Sequence, residues 1–372
     1  MTTKAPPFEM TQWQKKQAAM LYHFASMGYL KGLQQRVNDL IAFVEPTLDL
    51  AKAQNRDARL VSAQWGTRNT SQNWSNNAWP FLADFQKGIA QSIAERAFEV
   101  YDTSGVNNCA RGISEYSMEW TTHEEEDKFK AMFEELSLYA LDMDSTLYRS
   151  GPDGRWTDFT FALTWAECKH LFPKLPKLQI RADVEGESGR VPVRTGVYVS
   201  QNDPHAALQF AWTGDKYGRL LNAKTFNKIG LDALKFVGRR ELWFNDQRMY
   251  AFATSPKYLK LFKDDVTWND LPSFDLAPSA VGREAFEARP CKWYYVEMVN
   301  GEFEDIDDSL LGVAGEPAEP LRSRAGHPCP KAGMWLSNYN GVKRNYQLGE
   351  IFTHLHEPPH GYTLWTCLEE DD

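Results

Sequence analysis

The apolar period of this chain changes once, at a run of residues suited to interrupting structure. Up to about Tyr148, apolar residues recur at steps of three and four: Ala18, Leu21, Tyr22 and Ala25, then Leu33, Val37, Leu40, Ile41 and Val44, then Phe81, Leu82, Phe85, Ile89, Ile93, Ala97 and Val100. That spacing lays a single stripe along one face of a helix. After Arg149-Ser-Gly-Pro-Asp-Gly154, whose glycines and proline mark a boundary, short alternating segments take over. No regular βαβ repeat is visible among them. The expected architecture is therefore α+β: an N-terminal helical bundle over residues 1–150, then a mainly antiparallel sheet domain with a few helices over residues 151–372.

Within the first part, Gly28 and Gly32 are expected to break the helical pattern, and Pro46 to kink or restart the second helix because it lacks an amide hydrogen. A third helix is expected over Trp79–Tyr101 and a fourth over Ser114–Leu147. Between the second and third, the Asn- and Ser-rich run GTRNTSQNWSNNAW is expected to be a loop. Beyond the boundary, strands are expected at Trp156–Leu163, Leu178–Val184, Gly196–Ser200, Leu208–Trp212, Arg248–Ala253, Lys292–Val299, Met334–Ser337 and Tyr362–Cys367. One helix is expected over Asn222–Val237, stopped by Gly238. Gly214-Asp-Lys-Tyr-Gly218 reads as a hairpin turn after Trp212, lacking the Gly-Lys-Ser/Thr end of a phosphate loop.

At 372 residues, with 42% hydrophobic and 24% charged side chains and 13 tryptophans, the chain has ample material for a core and is not a disordered composition. A net charge of −9 repels nucleic-acid backbones and favours basic partners. The N-terminal residues lack the apolar stretch of a secretory signal, and no apolar run is long enough to span a bilayer. Cys109, Cys168, Cys291, Cys329 and Cys367 are odd in number and never spaced as CxxC. They are expected to be reduced thiols in a cytoplasmic protein.

Few residues are arranged for chemistry. His354 and His356 would share a strand face, with His360 as a third imidazole, but Pro358 and Pro359 intervene and no carboxylate supports them. Asp305, Asp307 and Asp308 lack the glycine and terminal glutamate of a calcium loop. Glu124, Glu125, Glu126 and Asp127 would point in different directions around a helix. Asp203-Pro204-His205 fits a turn in which Asp203 bonds the backbone, better than a catalytic pair. Cys329 lies between two prolines, and no serine sits in a nucleophile elbow. No catalytic residue, metal or cofactor is assigned.

From Trp293 to Leu321 there are eight acidic residues and no Lys or Arg. Such a run is either a solvated edge or a surface complementary to a basic partner. On the second reading, contacts are expected at Glu302, Glu304, Asp305, Asp307 and Asp308, with exposed aromatic anchors at Trp293, Tyr294 and Tyr339, since interfaces concentrate energy in Tyr and Trp.

Two long segments carry a family resemblance. The first runs Thr195-Gly-Val-Tyr-Val, Asp203-Pro-His-Ala-Ala-Leu-Gln-Phe-Ala-Trp212, Gly218-Arg-Leu-Leu-Asn-Ala-Lys-Thr-Phe-Asn227 and Gly230-Leu-Asp-Ala-Leu. The second runs Arg324-Ala-Gly-His-Pro-Cys-Pro330, Gly333-Met-Trp335, Arg344, Gly349-Glu350 and Tyr362-Thr-Leu-Trp365. Together they resemble bacterial polymorphic-toxin immunity proteins, of the families numbered 71 and 72 among the immunity proteins. The likeness covers Thr195 to the end.

That resemblance implies an antitoxin, serving type VI secretion or contact-dependent toxin systems in bacterial competition. It would bind a cognate, basic toxin domain encoded by a neighbouring gene and occlude it stoichiometrically, with no enzyme activity of its own. Gly196, Asp203, Pro204, His205, Gln209, Trp212, Gly326, Cys329, Pro330, Trp335, Gly349 and Glu350 would hold the fold, with Gly196 and Gly326 at turns and Trp212 and Trp335 in the core. The alternatives are an adaptor or chaperone that loads the toxin, or a metal-dependent enzyme that counteracts its damage.

Overall fold

The computed structural model describes residues 8–61, 66–263, 274–306, 321–337, 342–355 and 363–368. The architecture is α+β, helices first and antiparallel sheets after. The chain divides into two compact units: His23–Tyr148, and Met1–Tyr22 together with Arg149–Asp372. The sequence expectation placed residues 1–150 together. Side chains of α1 (Gln12–Phe24) show why the first residues group with the second unit. Gln17 Oε1 accepts the Leu208 amide at 3.1 Å, Trp13 Nε1 donates to Asp158 at 2.8 Å, and the Tyr22 hydroxyl donates to the Val296 carbonyl.

In the helical unit, α2 (Met27–Ala53) begins at Ser26, whose Oγ accepts the Tyr29 amide at 3.0 Å. The break therefore falls at Ala25–Ser26, not at the glycines. A Cβ on Gly32 would collide with the Tyr139 hydroxyl, so this glycine serves a close approach within the helix. Tyr29 and Tyr139 stack at 4.0 Å, and each hydroxyl donates to the other's carbonyl. The helix continues through Pro46, and the Thr47 hydroxyl donates to the Phe43 carbonyl at 2.7 Å. Its buried stripe, Leu33, Val37, Leu40, Ile41 and Val44, packs against α5 (Trp79–Glu95) and α7 (His123–Leu147).

Three other helical expectations change. After α3 (Asp57–Val61), Gly66–Asn69 is a 3-10 turn and Ser71–Asn77 is helix α4, where a loop was expected. Thr70 caps it, accepting the Asn73 amide at 3.1 Å, and buried Trp74 packs on Trp120 and Phe129. Helix α5 ends at Glu95 and a 3-10 turn finishes at Phe98, where Glu99 takes a left-handed conformation. The fourth helix, expected from Ser114, begins only at His123 as α7 (His123–Leu147), and a further helix, α6 (Val106–Ser114), ends where it was expected to start. Thr122 and Glu125 form a reciprocal cap that starts the second.

In the second unit, α8 (Asp158–Cys168) replaces the strand expected at Trp156–Leu163, capped by Thr157 and Thr160. Phe161, Ala162, Trp165 and Cys168 form its buried stripe, but Phe159, Leu163 and Ala166 add apolar residues on the other faces, so the sequence shows no single clear stripe from which to read a period. Asp158 is 4% exposed, and its carboxylate accepts from Trp13 Nε1, Trp243 Nε1 (2.7 Å) and Arg239 (2.7 Å).

The main sheet is antiparallel in the order β1-β6-β2-β3, from β1 (Leu175–Glu187), β2 (Gly196–Ser200), β3 (Gln209–Ala211) and β6 (Lys292–Glu304). β4 (Ala223–Phe226) pairs with β5 (Phe286–Arg289). Residues 222–227 are thus strand and cap, and helix α9 begins only at Lys228, running to Val237 with Gly238 at its end. The segment expected as a strand at Arg248–Ala253 belongs to helix α10 (Asp246–Ala253), with Asn245 as its cap. Helices α11 (Leu259–Lys263) and α12 (Ala277–Glu284) follow. Trp243, Met249, Phe252 and Val281 lie in the core these helices share with Phe226.

A second antiparallel sheet, ordered β7-β10-β8-β9, joins β7 (Arg322–Arg324), β8 (Gly333–Ser337), β9 (Lys343–Tyr346) and β10 (Leu364–Cys367) around Trp335, Tyr346, Phe352 and Trp365. Among the described residues, no helix is long and apolar enough to cross a membrane.

Candidate functional site

The residues of the two segments that carry the resemblance build framework. Trp212 and Trp335 are buried, and their ring nitrogens donate to Asp215 and to the Lys331 carbonyl. Gln209 stands in for a strand partner: Oε1 accepts the Leu221 amide at 2.9 Å and Nε2 donates to the Leu221 and Asn222 carbonyls. The backbone from Gly326 to Cys329 is laced to that from Gly349 to Phe352. Gly326 and Cys329 donate to the Phe352 and Glu350 carbonyls, and Gly349 donates back to Cys329. Pro328 and Ile351 form an isolated bridge within this lacing, and Pro330 follows on the exposed side. The Glu350 carboxylate accepts the Gln347 amide at 2.8 Å. Gly326 and Gly349 turn with positive φ (86° and 81°). Gly196 corrects the expectation of a turn: it lies in β2 opposite Ala211, where a Cβ would strike Tyr295. Gly214–Gly218 likewise makes no hairpin, because Asp215 caps a 3-10 turn and the next strand, β4, belongs to another sheet.

The expected contact residues divide four ways. Trp293 is 0% exposed, and its ring nitrogen donates to Ser188 Oγ at 3.2 Å, so it is core and not a surface anchor. Tyr294 is half-buried in β6. Asp307, Asp308 and Tyr339 lie outside the described residues, as do His356 and His360. Among the described residues, no group of three or more His, Cys, Asp or Glu is placed to hold a metal ion.

Glu302, Glu304 and Asp305 stand at the end of a two-stranded arm. β2 pairs with β6 only over Trp293–Val296, so Glu297 to Glu304 are held by β1 alone. Each described carboxylate here has a basic partner from far away in sequence. Glu302 meets Lys177 at 2.7 Å, Glu304 meets Lys15 at 2.7 Å, Asp305 meets Lys174 at 3.1 Å, and Glu297 meets Arg181 at 2.8 Å and Arg194 at 3.4 Å. Glu302 also holds the Lys177 ammonium above its ordinary pKa. The described part of the run, up to Asp305, is thus a surface of alternating charge, with Phe303 (65% exposed) projecting among the pairs.

A second feature escaped the sequence reading. An open cleft of about 860 Å³ lies where the ends of β1 (Glu187, Ser188) and β2 (Ser200) meet β4, the start of α9 and the β5–β6 turn. It brings together Asn202, Asp203, His205, Lys228, Arg289, Cys291 and Lys292, which are scattered over the sequence. Asp203 Oδ1 accepts the His205 amide at 2.9 Å, so this carboxylate shapes its turn as expected and does not orient the imidazole. The Cys291 thiol is pushed up by burial and by the nearby Asp203 charge, against hydrogen bonds from Ser200 and the backbone. It is held as a thiol at neutral pH, the form unsuited to attack.

With this geometry in hand, comparison with family models, curated proteins and solved structures finds no match to the chain.

Proposed function

We propose that the protein is an immunity protein, an antitoxin that binds a cognate bacterial toxin domain in the producer's cytoplasm and neutralises it by stoichiometric occlusion. The reading rests on the resemblance of the segments around Trp212 and Trp335, and one structural observation supports it: the β1–β6 arm presents Glu302 and Asp305 in exposed pairs beside the projecting Phe303. Exposed pairs of this kind are worth little, about 0–1 kcal/mol in general, because water screens them. A basic partner can therefore take Glu302 and Asp305 from Lys177 and Lys174 at small cost, and Phe303 supplies apolar area at the centre of the contact. Assignment to the toxin-immunity families is part of this proposal, as are the absence of catalysis and the adjacent gene's toxin as partner.

The test is co-expression with the C-terminal domain of the neighbouring gene's product. The expected result is restored growth together with a one-to-one complex. Neither rescue nor complex would refute the proposal. Rescue at strongly substoichiometric amounts would favour an enzyme instead, and failure of toxin export with producer survival unchanged would favour a loading chaperone.

A further inference from the structure

We propose that the Asn300-Gly301 step on the β1–β6 arm is a site of spontaneous covalent modification, at which Asn300 is converted to aspartate and isoaspartate without an enzyme. The Gly301 backbone nitrogen attacks Cγ of the Asn300 carboxamide and closes a five-membered succinimide. The carboxamide C–N bond breaks, and its nitrogen leaves as ammonia with the proton given up by the Gly301 amide. Water, the one co-reactant, then opens the ring. Addition at Cγ restores the ordinary main chain with an aspartate side chain, and addition at the backbone carbonyl leaves isoaspartate, whose main chain runs through Cβ and Cγ.

Ring closure requires the Asn300 side chain and the next amide to swing toward each other, a motion that regular pairing on a ladder resists. Here the ladder is interrupted. β1 and β6 pair Leu178 with Met298 and next Pro176 with Phe303, so four residues of β6, Val299 to Glu302, stand opposite Lys177 alone. Extra residues of a bulge lie outside the ladder. Nor does β2 accompany β6 this far, since its last partner is Val296. Asn300 and Gly301 are both exposed. Among the described residues, no hydrogen bond holds the Asn300 carboxamide away from its neighbour. Gly301 turns with a φ of 76°, in the region that favours glycine, and nothing lies within 4 Å of the place a Cβ would occupy. The attacking amide is therefore screened neither by a side chain of its own nor by a packed neighbour.

The same bulge sets the consequence. Isoaspartate lengthens the main chain by one methylene, which inside a regular ladder would displace every later pair. Between Met298 and Phe303 the unpaired residues absorb it. The product also carries a new carboxylate two positions before Glu302, where it competes for the Lys177 ammonium that Glu302 meets at 2.7 Å. On the proposed function this carboxylate joins the acids offered to a basic partner; the chemistry itself does not rest on that reading.

The test uses the purified full-length chain with no toxin present, aged at neutral and at mildly alkaline pH, digested with trypsin and followed by mass spectrometry. Trypsin leaves Asn300 in the peptide between Lys292 and Arg322, and the other Asn-Gly step, Asn340-Gly341, in the peptide between Lys331 and Lys343, so the two are read separately. The peptide holding Asn300 should gain one mass unit, with aspartate and isoaspartate forms resolved by chromatography. The gain should be faster at alkaline pH, because the attacking amide must lose its proton. Its rate should fall within about tenfold of that in a synthetic peptide spanning Glu297–Glu304, since little local opening is needed. Asn300→Ser should abolish the gain in this peptide, and the aged chain should melt with the fresh one. Conversion slower than in the synthetic peptide by more than that factor, or an equal gain in Asn300→Ser, would overturn the assignment. A lowered melting temperature in the aged chain would overturn the bulge as the element that absorbs the change.

Discussion

Replacing Asp158 by alanine should destabilise the sheet-containing unit more than any single change on its surface. The carboxylate is 4% exposed and receives three donors: Trp13 Nε1, Trp243 Nε1 and Arg239. These arrive from α1, from the turn before α10 and from the residues after α9, so one side chain pins three segments to α8. Removing one member of a buried charge pair costs about 3–5 kcal/mol. Arg239 keeps 30% of its side chain in solvent and can partly rehydrate, which favours the lower end, about 3 kcal/mol. The two indole N–H groups remain buried without an acceptor and add to the loss.

For a unit of this size, about 3 kcal/mol corresponds to a fall of roughly 6–12 °C in melting temperature. Differential scanning calorimetry is the assay, because a chain of two compact units need not unfold in one transition. Asp158→Asn should recover little: its amide turns a donor toward one of the same donors. A cycle with Trp243→Phe then isolates the indole bond, and non-additivity is expected for groups in contact. A loss below about 1 kcal/mol for Asp158→Ala, with additive behaviour in the cycle, would refute the hub.

Four other outcomes are expected. Gly218→Ala should lower the urea midpoint sharply, by an amount equivalent to about 1–3 kcal/mol, because its Cβ would meet the Trp212 carbonyl, which cannot rotate away. Between pH 4 and pH 2 the Asp232 contact should lose its stabilising effect: its folded pKa, about 2 against an ordinary 3.8, contributes stability that is present above pH 4 and is lost as pH falls toward 2. Urea unfolding at pH 5 and pH 2.5 should accordingly show a smaller difference in Asp232→Asn than in the parent. Among the five thiols Cys291 should react first with a disulfide reagent in the native state, since the other four are buried and Cys109 is pushed up to about 12. On the proposed function, Glu302→Lys with Asp305→Lys should slow association with the proposed toxin partner and flatten its salt dependence, measured by stopped flow, while leaving the melt unchanged.

How much of this was legible depended on whether a local pattern carried the information. The stripe from Leu33 to Val44 and the alternation at Gly196–Ser200 reflect burial on a fixed period, so α2 and β2 could be placed from sequence. Helix α4 could not, because Asn and Ser dominate it and a single residue, Trp74, supplies most of its core contact. Its signal was Thr70, a cap read as part of a loop. Helix α8 was misread for the opposite reason: apolar on several faces, it has no clear period, and only the Thr157–Thr160 cap marks its start.

The two candidate sites were hidden by the same limitation. Counting charges along Trp293–Leu321 finds no cation, yet Lys177 lies 125 residues from Glu302 and touches it. Ionic character belongs to a surface, and sheet register builds surfaces from distant segments: pairing Leu175 with Glu304 brings Lys177 of β1, and Lys174 just before it, to Glu302 and Asp305. The cleft makes the same point, gathering Lys228, Arg289 and Lys292 with Glu187, Asp203 and Asp232 from segments far apart in the sequence.

The motif residues and the contact residues consequently answer to different physics. Gln209 completes hydrogen bonds for Leu221 and Asn222, and the Gly326–Cys329 backbone is laced to Gly349–Phe352; exchanging these groups breaks the framework itself. Glu302, Asp305 and Phe303 bear no such burden, since their surroundings are solvent and exposed lysines. On the proposed function, an antitoxin matched to one toxin among many needs this separation. The framework can then stay fixed while the arm changes charge and shape, and specificity can shift through added repulsions without loss of stability. Motif variants and arm variants should therefore fail differently: Gln209→Ala through lost fold, and the Glu302→Lys, Asp305→Lys pair through lost binding by a chain that still melts as the parent does.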